Sequence, residues 1–105
     1  MAFVWDDELR HYDFGPGHPL SPIRTVLAYK LIESLKILEQ PNCRVLGDVG
    51  LATDEDLLRV HDPTFIESVK LASEGTGYRD LARGLGTADV PVFEGMHTAS
   101  ARVCG

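Results

Sequence analysis

The sequence predicts an α/β fold, and three observations carry that prediction. Ala2-Phe3-Val4-Trp5 is a short apolar run rich in β-branched and aromatic residues, which reads as a buried strand of a sheet. Arg44-Val45-Leu46-Gly47 is a second candidate strand. Capping residues followed by proline, Ser21-Pro22 and Asp62-Pro63, open helices between and after them. The order strand, helix, strand, helices implies a right-handed crossover and a parallel pair of strands with open edges.

The first strand stops at Asp6-Asp7-Glu8, and Gly15-Pro16-Gly17 with His18-Pro19 makes a loop of chain breakers. Pro22 at the first helical position costs nothing, because its missing N–H would be unpaired there anyway. The helix places Ile23, Val26, Leu27, Leu31, Leu35 and Leu38 on one face, with Arg24, Lys30, Glu33 and Lys36 largely off it. Pro41 disfavours helix in its predecessor, so the end falls near Leu38 or Glu39. Thr53 before Asp54-Glu55-Asp56 caps a short helix to about Leu58 or Arg59, with acids where the helix dipole favours them. Asp62-Pro63 opens another, with Phe65, Ile66, Val69 and Ala72 inward and Gly75 as its stop. Residues 75–86 are polar and glycine-punctuated, with one helical turn at Asp80–Arg83. Pro91-Val92-Phe93 is extended, and a last helix starts near Glu94 with Met96, Ala99 and Val103 on its apolar side.

One domain spanning residues 1–105 is all the length allows, and no repeat or linker divides it. A chain 44% apolar and 25% charged is ordinary for a globular protein. Its longest apolar run is five residues, Met1–Trp5, far below the roughly 20 that span a bilayer, so no membrane partner is expected. The first residues lack a basic, then apolar leader, and a cytoplasmic location is expected. The net charge is −6 and the ten basic residues are scattered singly, which argues against a nucleic-acid partner. Cys43 and Cys104 form no paired motif and read as small buried apolar residues.

No complete set of catalytic residues is written in the chain. His11, His18, His61 and His97 fit no zinc-ligand spacing. His11, Asp13 and His18, with Asp6 and Asp7 nearby, leave open a small metal-binding loop. There is no nucleophile elbow, and Pro16 removes a backbone donor that a phosphate cradle would use at Gly15–Gly17.

Three segments resemble the zinc-dependent histone deacetylase family, most nearly its bacterial acetoin-utilisation branch. Tyr12-Asp13-Phe14-Gly15-Pro16-Gly17-His18-Pro19-Leu20-Ser21-Pro22-Ile23-Arg24 is similar to the family's YxxGxGHPxxPxR opening. Val60-His61-Asp62-Pro63-Thr64-Phe65-Ile66 is similar to its YHxxxYI segment, and Gly86-Thr87-Ala88-Asp89-Val90-Pro91-Val92-Phe93-Glu94-Gly95 to its GxDxPxFxG segment. They occur in family order with family-like spacing.

The resemblance implies the N-terminal portion of an arginase/deacetylase-like open parallel sheet with flanking helices. It implies a parent that hydrolyses acyl-lysine, or a small acetylated substrate, with a bound zinc. Asp89 matches the rim aspartate that accepts backbone N–H groups of the substrate; an ionised carboxylate suits this, being acceptor-only. A loop acid before a proline turn is the plainer reading of the same residue. Arg24 matches an arginine behind the pocket, near an internal cavity, and is otherwise a surface arginine in a first helical turn, where the dipole disfavours it. Gly15, Gly17 and His18 match the supporting loop beside that cavity. The family's zinc ligands, tandem histidines and tyrosine have no counterpart here, so no metal ligand and no catalytic residue is assigned to this stretch. The expectation is an incomplete domain whose last helix would continue past Gly105, inactive alone and prone to self-association through uncovered sheet edges. The alternative is a non-enzymatic, small acidic α/β interaction module of the same ancestry.

Overall fold

Short runs of β-branched and aromatic residues pair where the sequence places them. A computed structural model describes all residues, Met1–Gly105. Strand β1 (Ala2–Val4) lies parallel to β2 (Arg44–Leu46), with Ala2 opposite Arg44, Phe3 opposite Val45 and Val4 opposite Leu46. Trp5 N–H extends the ladder by donating to the Leu46 carbonyl at 3.0 Å. The sheet has only these two strands.

Burial of the strands departs from expectation. Phe3 and Trp5 are half-buried under Tyr29 of helix α1 (Pro22–Ser34), whose ring stacks on Trp5 at 4.2 Å and on Phe3 at 6.1 Å. Val4 is 52% exposed, and β2 is exposed along its whole length. A two-stranded sheet with one helix against it has too few layers to bury both faces.

The apolar residues of α1 fall on two sides rather than one. At about 100° per residue, Val26, Tyr29 and Ile32 occupy the half-buried side. Ile23, Leu27, Leu31 and Leu35 form a ridge on the opposite side, each between 56% and 61% exposed. Ser21 holds the N-cap position, but its side chain makes no capping bond. The helix also ends four residues early. Lys36 takes the left-handed conformation at φ +55°, its N–H donating to the Glu33 carbonyl at 2.9 Å while the Ile37 N–H donates to Ile32 at 3.2 Å. This double closure satisfies carbonyls that would otherwise be orphaned, and a residue with a Cβ is strained there. Lys36→Gly is therefore expected to stabilise the chain by about 0.5–1 kcal/mol, read as a higher midpoint in urea unfolding.

The remaining helices follow their caps. Helix α2 (Asp54–Leu57) starts in a reciprocal capping box between Thr53 and Asp56, and α3 (Pro63–Ser73) starts with Asp62 accepting the Thr64 N–H. Helix α4 (Met96–Cys104) begins two residues later than anticipated, because Gly95 at φ +81° places the cap there and donates its N–H to the Ser73 carbonyl at 2.9 Å. The turn expected at Asp80–Arg83 is a short 3₁₀ helix, Leu81–Arg83. A second 3₁₀ helix, Asp7–His11, has no hydrophobic periodicity to announce it; Asp6 caps it.

Ala72, Leu85 and Met96 form the core, ringed by Phe65, Val69, Tyr78, Val90, Val92 and Phe93. The strand side joins the helix side through Asp6, which accepts the Val49 N–H at 3.1 Å and lies 3.6 Å from Arg102, whose guanidinium also donates to the Val49 carbonyl. Cys43 is half-buried and Cys104 exposed, both as free thiols, so neither is the buried apolar residue anticipated. No helix is long and apolar enough to cross a membrane.

This core is thin. Only 8 of 105 residues are buried, and the accessible surface is 7154 Å². A compact protein of this mass exposes about 5,800 Å². The radius of gyration, 15.8 Å, likewise exceeds the roughly 13 Å of a compact chain this long.

Charged groups stiffen the α3 side. Asp80, whose side chain is 11% exposed, accepts from Arg83 at 2.6 Å and from the buried Ser68 hydroxyl at 2.9 Å, while Arg83 also reaches Thr64. The Arg83 and Ser68 hydrogen bonds hold the Asp80 carboxyl below the ordinary carboxylate range. Lys70 does the same for Asp54, Thr53 for Asp56, and Thr64 for Asp62. A carboxylate whose folded-state pKa is depressed contributes stability above its unfolded pKa and loses it as pH falls. Stability is thus expected to decline from about pH 4 downward. Asp80→Asn should flatten part of that decline when urea midpoints are compared between pH 6 and pH 3.

Candidate functional site

The loop between β1 and α1 is built by local hydrogen bonds that glycine makes accessible. Asp13 Oδ1 accepts the Gly15 N–H at 2.9 Å, and Gly15 and Gly17 turn the chain at φ +94° and +84°, a region other residues rarely enter. His18 comes out of this turn with both ring nitrogens engaged. Its Nδ1 accepts the Leu20 N–H at 3.1 Å, which leaves the proton on Nε2. Nε2 donates across the fold to the Asp89 carbonyl at 3.1 Å.

Asp89 stands on a loop that is closed on itself. The Gly86 N–H donates to the Val90 carbonyl at 2.8 Å, and the Thr87 hydroxyl donates to Gly84 while accepting the Val90 N–H. Gly86 is obligatory here: φ is +90°, and an added Cβ would lie 2.6 Å from Arg79 Cγ. Aromatic packing fastens the two loops together. Phe14 meets the His18 ring at 4.6 Å and Phe93 edge-on at 5.7 Å, and Tyr12 meets Phe14 at 5.2 Å.

Two residues that lie 71 positions apart in sequence, His18 and Asp89, are therefore in contact. The Asp89 side chain is exposed and takes part in none of the ion pairs of the chain. Arg24 is exposed in the first turn of α1, with Nη1 3.4 Å from the Pro19 carbonyl. Gly15, Gly17, His18 and Arg24 thus share one loop–helix junction, and Asp89 faces it from the other loop.

The donor groups do not fit a metal. His11 lies 3.2 Å from Glu8, Asp13 is engaged by Gly15, and both His18 nitrogens are in use. No group of three His, Cys, Asp or Glu side chains is placed to hold an ion. His11, Asp13 and His18 are thus not brought together as a metal-binding loop in this structure.

In the sequence His97 fits no zinc-ligand spacing. The structure puts its Nε2 in a buried position with no hydrogen-bond partner, beside a cleft between α3 and α4. Nothing in the spacing of α4 announces this, since the partner-free nitrogen results from packing against a different helix.

The chain aligns with known proteins over nearly its full length. It is 33% identical over 109 residues to the acetoin utilization protein AcuC of Bacillus subtilis, covering 99% of this chain and 27% of that protein. It is 30% identical over 106 residues to the AcuC of Staphylococcus aureus strain MSSA476, covering 99% and 26%. Histone deacetylase 2 of Oryza sativa is 28% identical over 100 residues, covering 92% and 19%. The chain spans about a quarter of the length of the AcuC proteins it matches. No family model matches it. Over the stretch it spans, the chain is thus similar in sequence to acetoin utilization proteins and to a plant histone deacetylase.

Proposed function

We propose that these residues are the N-terminal part of a deacetylase that hydrolyses acyl-lysine or a related acetyl amide, and that Asp89 is its substrate-rim acceptor. The observation that carries this reading is the state of Asp89. Its carbonyl is engaged by His18, which fixes the loop, while its carboxylate points to no protein partner. A free, preorganised, acceptor-only group suits the backbone N–H groups of a bound peptide. Gly15, Gly17, His18 and Arg24 hold the opposing loop in place. The zinc that the resemblance implies is assigned to the longer protein, outside this stretch, and the location to the cytoplasm.

The test compares the longer protein containing this stretch with the 105-residue chain on an acetyl-lysine peptide. Turnover by the longer protein and none by the chain alone is the expected result. Turnover by the chain alone, with stoichiometric zinc, overturns the assignment.

The thin core favours a further property. Roughly 1,300 Å² of surface beyond that of a compact protein exceeds the roughly 800 Å² that each partner buries in a standard interface. The ridge Ile23, Leu27, Leu31 and Leu35 and the open edges of β1 and β2 supply it. The isolated chain is expected to self-associate in sedimentation. A clean monomer with cooperative unfolding contradicts this, and it would favour the alternative of a self-sufficient interaction module.

A further inference from the structure

The bond from His18 Nε2 to the Asp89 carbonyl, at 3.1 Å, is the one hydrogen bond that joins the β1–α1 loop to the Asp89 loop. Packing of Phe14 on Phe93 fastens the same two loops without a directional contact. Gly86, Thr87 and Val90 close the Asp89 loop only on itself. The carbonyl that His18 grips belongs to the residue whose carboxylate is in no ion pair, and the two groups hang from one Cα. Holding the carbonyl therefore limits where the carboxylate stands.

The ring is set for this task by its own loop. Nδ1 accepts the Leu20 N–H at 3.1 Å, which orients the imidazole and leaves its proton on Nε2. The half-buried ring also meets Phe14 at 4.6 Å. The other neutral tautomer would set a bare nitrogen against the Asp89 carbonyl and a second N–H against that of Leu20, losing both bonds. We infer that His18 is the positioning residue of Asp89, a strut locked in one tautomer that carries the placement of the Gly15–Gly17 turn to the carboxylate. This deepens the reading of Asp89 as a substrate-rim acceptor and rests on it. Two substitutions separate the two ring nitrogens. The amide oxygen of Asn reaches about as far as Nδ1 and bonds readily to an N–H two residues on, which here is that of Leu20, but nothing in Asn reaches Asp89. The amide nitrogen of Gln reaches about as far as Nε2 and donates to Asp89, while the acceptor for Leu20 is lost.

Nitrogen NMR of the imidazole in the 105-residue chain is expected to show Nε2 protonated and Nδ1 bare. His18→Asn should speed amide exchange at Gly86 and Val90 by about 3- to 10-fold, the weight of one hydrogen bond, and leave Leu20 unchanged. His18→Gln should bring Gly86 and Val90 back toward the unaltered rate while Leu20 exchanges faster. In the longer protein, His18→Asn should raise KM for an acetyl-lysine peptide with kcat nearly unchanged, and should add nothing to Asp89→Ala. A mixed or reversed tautomer overturns the inference, as does unchanged exchange in His18→Asn or no recovery in His18→Gln. So does a His18→Asn loss that multiplies that of Asp89→Ala. Coupled loops in the exchange experiment beside a fully active Asp89→Ala enzyme would instead contradict the rim reading alone, and the exchange rates would still establish the strut.

Discussion

Replacing Asp89 by alanine in the longer protein is expected to lower kcat/KM for an acetyl-lysine peptide by about 10- to 100-fold. The range follows from the strength of hydrogen bonds to a charged group, which is roughly twice that of neutral ones. Asp89 has no structural partner for its carboxylate, so the substitution removes an acceptor without breaking an ion pair of the fold. The loop stays closed by Gly86, Thr87 and Val90 and stays pinned by His18, because that bond is to the Asp89 carbonyl. Asp89→Asn retains one acceptor oxygen and is expected to fall between the two. An unchanged kcat/KM in both variants would leave Asp89 as the plain loop acid before Pro91.

Replacing Met96 by alanine is expected to destabilise the isolated chain by about 2–5 kcal/mol. Met96 is 3% exposed and shares its core cluster with only two other buried residues, Ala72 and Leu85. Domains have roughly 5–15 kcal/mol of stability in total, and a core this small stands at the lower end. The variant should therefore be largely unfolded at room temperature by circular dichroism. Leu31→Ala provides the contrast. Its side chain is exposed on the α1 ridge, and the change should move stability by no more than about 0.5 kcal/mol while weakening self-association. A stable Met96→Ala chain would mean that the core lies elsewhere.

The elements legible in the sequence are those whose signals are local. Asp62-Pro63, Thr53 with its following acids, and the Asp80–Arg83 turn each satisfy their own backbone groups within a few residues, and all three form where expected. Periodicity proved weaker. The α1 residues from Ile23 to Leu35 are apolar at positions that satisfy two opposite faces, and only the spatial position of Tyr29 over Trp5 decides which face is covered. Its early end depends on Lys36 accepting a left-handed conformation, which its residue type does not announce. Strand existence was readable from Phe3, Val4 and Val45; strand burial was not, since it depends on how many layers surround the sheet.

The candidate site shows the same division. The glycines at positions 15 and 17 could be read as turn residues, and Asp89 and His18 as motif positions, but their contact across 71 residues is a product of the fold. His97 illustrates the converse. An orphaned nitrogen is a property of packing, and no spacing rule finds it.

The most direct measurement pairs Asp89 with the substrate group it is proposed to bind. The kcat/KM of the longer protein and its Asp89→Ala variant would be compared on an acetyl-lysine peptide and on the same peptide N-methylated at the flanking backbone amide. Loss of the N–H and loss of the carboxylate should each cost about tenfold or more, and together no more than either alone. Independent, multiplying losses, or an Asp89→Ala variant as active as the parent on both peptides, would contradict the assignment of Asp89 to the substrate rim.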